Sequence, residues 1–68
     1  MHLNETKADR AVRERAYELA ASGRFDAARE VERALIGEGW PNVGSIMHQE
    51  YVAKAVDEKC RHARETAH

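Results

Sequence analysis

One thiol, Cys60, and four histidines, His2, His48, His62 and His68, are the side chains in this chain best suited to hold a metal or attack an electrophile. Cys60 and His62 are two positions apart, which on a helix sends them to different faces, whereas helical ligand pairs use a spacing of three or four. His48 reaches them only through tertiary folding, and His2 and His68 are terminal. A nucleophilic cysteine needs a histidine within hydrogen-bond reach and a partly exposed site. Cys60 instead shares an apolar stripe with Val52, Ala55, Val56 and Ala63, the position of an inert core thiol. The carboxylates sit four residues from Lys or Arg, as on a solvated helix face. Gly37 and Gly39 follow a helix, where a phosphate-binding loop would precede one. The sequence therefore offers no catalytic, cofactor-binding or metal-ligating set, and no enzyme activity is expected.

The elements that carry these side chains follow from apolar spacing. Residues 6–22 place Ala8, Val12, Ala16, Leu19 and Ala20 on one helical face, with Arg10, Arg13, Glu14 and Glu18 opposite. Asn4 or Thr6 caps this helix, and Thr6 with Asp9 makes an imperfect capping box. Ser22 and Gly23 end it, because glycine takes the left-handed conformation without a Cβ clash. The short gap before the next stripe predicts an antiparallel α-hairpin with Phe25 at its mouth. Asp26 is the expected N-cap of a second helix whose inner face is Ala27, Val31, Ala34 and Leu35. Gly39, Trp40 and Pro41 mark its end. With Gly39 at C′, Trp40 at C″ meets Leu35 at C3, the apolar pair of a Schellman motif, and Pro41 cannot extend the helix. Ile36 points away from this stripe and needs another neighbour, either the C-terminal helix or a second subunit.

Asn42 is placed to cap a short helix bearing Val43, Ile46 and Met47, while Ser45 is an alternative cap for one long final helix. The apolar phase slips between Met47 and Val52, which favours a break near His48 and a last helix over residues 49–65. Its buried face is Val52, Ala55, Val56, Cys60 and Ala63, with Tyr51 flanking it. Glu50–Lys54, Lys54–Glu58 and Asp57–Arg61 are the i,i+4 pairs expected on its wet side. Residues 1–4 and those beyond Glu65 are expected to fray. The fold class is all-α: a small bundle of three longer helices plus one short helix, in a single domain over residues 1–68.

Within residues 17–35, Tyr17, Leu19, Gly23, Phe25, Asp26 and Ala28 resemble the middle of a tetratricopeptide-type helical hairpin. The resemblance implies hairpin packing, and membership would imply a peptide-binding repeat. Glu32 departs from the pattern where a bulky residue is usual. The 34-residue period also fails, since Gly23 and Phe25 map onto Asp57 and Lys59. Leu19, the run Ser22-Gly23-Arg24-Phe25-Asp26, Gly39-Trp40-Pro41, Asp57 and Cys60 resemble a group of short bacterial helical proteins without assigned activity. That resemblance implies a bacterial cytoplasmic origin and brings no ligand or site with it.

A chain of 68 residues buries only about 60% of the surface its unfolded form exposes, and small cores are usually supplemented by a disulfide, a metal or a partner. A single cysteine excludes an internal disulfide, which makes self-association the first partner expectation. No apolar run approaches the ~20 residues of a membrane span and no signal-peptide pattern is present, so a cytoplasmic protein is expected. Ile36, Trp40, Met47 and Tyr51 form the expected interaction surface of a non-enzymatic module, acting as a homodimer or on another protein, because aromatic residues and Met are enriched at interface centres.

The alternative is a small DNA-binding protein of helix-turn-helix outline, with residues 31–35 as supporting helix, 37–42 as turn and 43–47 opening the reader. Its contacts would be Arg29, Arg33, Asn42, Ser45, Gln49 and Lys54. Two features oppose it. The net charge is -1, from 11 basic and 12 acidic side chains, and no Lys or Arg stands between Ala34 and Ala53. Phosphate-binding faces normally carry a basic excess.

Overall fold

Thr6 opens the first helix: its side-chain oxygen accepts the Asp9 N–H at 3.0 Å and its carbonyl accepts the Arg10 N–H at 2.9 Å. In this computed structural model, which describes residues 6–66, four helices follow in order. They are α1 (Lys7–Ala21), α2 (Ala28–Gly37), α3 (Val43–Met47) and α4 (Glu50–Thr66). Among the described residues there is no strand. The expectations for residues 1–4 lie outside the described residues, and so do those for residues 67–68, whereas Thr66, expected to fray, is the last residue of α4.

Ser22 caps the end of α1 and Gly23 follows at φ +83°, the left-handed turn expected there. The start of α2 differs from the sequence expectation. The N-cap position is Ala27, which has no side-chain acceptor, and Asp26 does not cap the helix. Asp57 of α4 reaches across instead, and its Oδ1 accepts the Ala28 N–H at 2.7 Å. The Asp26 carboxylate faces Arg64 at 3.3 Å, while the Asp26 N–H donates to Glu30 Oε1 at 2.9 Å. A tertiary carboxylate has taken the role that local spacing assigns to a neighbour.

The other end of α2 closes as expected. The Gly39 N–H donates to the Ile36 carbonyl at 3.0 Å and the Trp40 N–H to the Leu35 carbonyl at 3.3 Å, with Gly39 at φ +88°. Those two bonds are the Schellman pattern, and they satisfy carbonyls that the helix end would leave open. Residues 42–66 form two helices. The break falls at His48 and Gln49, and the Gln49 carbonyl accepts from Val52 and Ala53 to start α4. Asn42 precedes α3 in the left-handed conformation (φ 58°) and makes no side-chain cap bond.

Each of the four helices touches the other three, and α1 packs most extensively on α4. Val12, Ala16, Leu19 and Ala20 of α1 meet Val31 and Leu35 of α2, Val43, Ile46 and Met47 of α3, and Val52, Val56 and Cys60 of α4. Fully burying a Val, Leu or Met side chain contributes about 1.5–3 kcal/mol relative to leaving it in water. Ala8 is exposed, because the α1 stripe runs one turn further than there is core to cover it. Tyr17, Phe25, Ala28, Ala34 and Trp40 pack against the rim of the core. The i,i+4 pairs expected along α4 do not form among the described residues. Exposed pairs of that kind contribute a few tenths of a kcal/mol (~0.2–0.5), and holding long side chains in place offsets much of it.

Candidate interaction surface

Ile36 stands at 59% exposure at the end of α2, whereas every other Val, Leu, Ile and Met among the described residues is buried. Val31 and Leu35 fix the rotation of α2 by facing the core, and that rotation turns position 36 outward. The C-terminal helix does not cover it. Tyr51, in the first turn of α4, is 45% exposed. Trp40 is half-buried against the core rim. Met47 does not belong to this surface: at 2% exposure it is a core residue, because α3 is held with Val43, Ile46 and Met47 all inward. Of the four expected surface residues, the structure presents Ile36 and Tyr51, half-covers Trp40 and removes Met47.

Trp40 is held in place by a polar cluster that local patterning does not reveal. Its indole N–H donates to Glu38 Oε1 at 2.8 Å. The Arg15 guanidinium grips the same carboxylate with two bonds, Nε to Oε1 at 3.0 Å and Nη2 to Oε2 at 2.8 Å, and donates to Glu18 at 2.9 Å. Hydrogen bonds from Arg15 first, and then from Trp40, hold the Glu38 carboxyl down at about 2. The same bonds, from Glu38 and then Glu18, push the Arg15 guanidinium above its usual value. This fork joins α1 to the Schellman turn and sets the angle of the indole. The one sequence signal for it is the indole N–H, a donor that needs an acceptor, with a glutamate two positions before it.

The side chains best suited to chemistry stand apart. Cys60 is fully buried. Burial pushes its thiol up, and the carboxylates of Asp57, Glu30 and Asp26 oppose the thiolate further. His62 is exposed two positions away. His48 is exposed and lies 3.5 Å from Glu32 Oε2. Among the described residues no three His, Cys, Asp or Glu side chains converge as a metal-binding group. At the start of α2, the kind of helix end that binds anions in many proteins, the Ala28 N–H already donates to Asp57, while the Glu30 and Val31 N–H groups donate to the Ala27 carbonyl. A shallow, open depression beside them is lined by Asp26, Asp57, Arg61, Arg64 and Glu65. A second open depression is lined by Ala21, Glu58, Lys59, His62 and Ala63, and the Tyr17 ring has the Arg13 and Lys59 cations 5.9 Å and 5.2 Å from its centroid.

The residues of the DNA-binding alternative, Arg29, Arg33, Asn42, Ser45, Gln49 and Lys54, are all exposed. The element meant to read bases is not built for it. α3 has five residues, three of them are buried, and Ser45 alone is fully outward. Among the described residues no helix is long and apolar enough to cross a membrane. No protein-family model, no curated protein and no solved structure matches this chain.

Proposed function

We propose that the chain is a non-enzymatic protein-interaction module that works through homodimerisation or by binding another protein, with Ile36, the open edge of Trp40 and Tyr51 as its contacts. The observation that carries this reading is Ile36, an aliphatic side chain left 59% exposed by a fold that hides all its described aliphatic neighbours. Trp40 adds an aromatic edge fixed by the Arg15–Glu38 fork, and a rigid aromatic loses little entropy on contact. Three side chains supply far less than the ~800 Å² per partner of a standard interface. The contact is therefore weak and exchanging, or it recruits the charged faces around it. We also read α1 and α2 as the antiparallel hairpin that presents this end of α2, in keeping with their contact and the left-handed Gly23 between them. A cytoplasmic setting fits one reduced, buried thiol. The DNA-binding alternative draws no support from α3.

A photo-crosslinking amino acid placed at position 36 or 51 in the native host tests the reading. Adducts are expected from both positions and not from a control on the outer face of α1 at Glu14, with mass spectrometry naming either a second copy or another chain. Equal adduct formation at all three positions, or none at 36 and 51, overturns it.

A further inference from the structure

We propose that the outward face of α2 docks an acidic protein segment, one that offers two carboxylates a helical turn apart beside an apolar residue. The proposal rests on the reading of the chain as an interaction module and gives that module a partner chemistry. Arg29, Arg33 and Ile36 stand at i, i+4 and i+7, so they share one face of the helix, opposite the fully buried Val31 and Leu35. All three are exposed. The two arginines are separated by about 6 Å along the axis, and Ile36 lies about 4.5 Å further on.

Neither arginine makes an ion pair or side-chain hydrogen bond with any described residue, whereas Arg15 and Arg64 are both engaged with carboxylates. Like charges at i,i+4 destabilise a helix, and the neighbouring carboxylates of Glu30 and Glu32 are engaged with the Asp26 N–H and with His48 instead of with these arginines. A partner bringing carboxylates at the same spacing removes that repulsion and lets its apolar residue cover Ile36.

A second copy fits this face less well than an acidic segment does. A two-fold contact centred on this face sets the patch against itself and brings the arginines of both chains together. Nucleic acid fits less well than protein. Glu30 and Glu32 flank the arginines on the same helix and oppose a continuous run of phosphates. Phosphates also give Ile36 nothing to cover.

The test uses the whole chain, isotope-labelled, titrated with three probes. One is a helical peptide with Glu at i and i+4 and Leu at i+7, the second has Gln in place of Glu, and the third is a short DNA duplex. Amide shifts over residues 29–37 are expected with the Glu peptide at low salt, fading as salt rises, and far smaller shifts with the Gln peptide. The double variant Arg29→Glu, Arg33→Glu, checked for helicity by circular dichroism, is expected to bind the Glu peptide at least roughly tenfold more weakly. Shifts elsewhere, or binding that survives the double variant, overturn the proposal. So does tighter, arginine-dependent binding of the duplex, which assigns the face to nucleic acid. Crosslinks from position 36 without peptide binding sink this inference and leave the module standing, while loss of both removes both.

Discussion

The Asp57 carboxylate on α4 accepts a 2.7 Å hydrogen bond from the backbone N–H of Ala28, 29 positions earlier in the chain. It supplies α2 with the cap its own N-terminal residues do not provide. Losing a helix cap costs about 1 kcal/mol, and in a domain of this size that lowers Tm by roughly 4–8 °C. Asp57→Ala is therefore expected to melt several degrees lower by far-UV circular dichroism, and Asp57→Asn, which keeps an acceptor, to recover most of the difference. If Asp26→Ala costs more than Asp57→Ala, the cap has been assigned to the wrong carboxylate.

That bond also shows where a reading of the sequence runs out. Asp26 stands immediately before an apolar stripe, so capping preferences choose it. Those preferences carry no information about a side chain that arrives from another helix. The end of α2 is legible because Gly39, Trp40 and Pro41 decide it among themselves through a left-handed residue and two local hydrogen bonds. The larger core residues of α1, α2 and α4 are legible from period alone, although Ala8 on the same spacing is exposed and Ala34, Ala55 and Ala63 are only partly buried. α3 is harder, since five residues span little more than one turn and periodicity cannot say which face turns inward. Residue type alone therefore sends Met47 to the surface, when it is core. The Arg15–Glu38 fork joins residues 23 apart, and no spacing rule connects them.

Two glycines make opposite demands under the same substitution. Gly39 has φ +88° with open space where a Cβ would stand, so Gly39→Ala meets backbone strain alone and is expected to cost about 1–2 kcal/mol. Gly37, the last residue of α2, has the same open space for a methyl group and lies in helical conformation. Gly37→Ala is expected to stabilise by up to about 0.5–1 kcal/mol. Urea unfolding of both variants checks the signs, and a neutral Gly39→Ala would mean the Schellman turn is not held in solution.

The Glu38 carboxyl, held at about 2 in the folded chain against a usual 4.5, gives the fold a specific acid response. The unfolded chain takes up this proton more readily than the folded one does. The contribution of Glu38 is therefore complete above about 4.5 and is lost as pH falls toward 2. A carboxyl-detected titration by magnetic resonance is expected to place Glu38 below the other glutamates, and Arg15→Met to return it toward the usual value. Glu38→Gln is expected to flatten the dependence of stability on pH across that window. Both partners are about one-third exposed, so added salt should weaken the effect. A Glu38 midpoint among those of the other glutamates would remove the fork as a feature of the folded state.

Met47 and Ile36 provide the sharpest contrast between core and surface, since they are similar in size and differ in exposure from 2% to 59%. Truncating a buried Met to Ala removes its transfer energy and leaves a cavity, at about 2–5 kcal/mol. A single core in so short a chain rarely supplies more than about 3–5 kcal/mol. Met47→Ala is therefore expected to be partly unfolded at room temperature, with a broad, early denaturant transition followed by Trp40 fluorescence. Ile36→Ala is expected to shift the midpoint by no more than about 0.5 kcal/mol equivalent. If the two variants lose stability equally, Ile36 is covered in the isolated chain, and the face on which the interaction reading depends is not free.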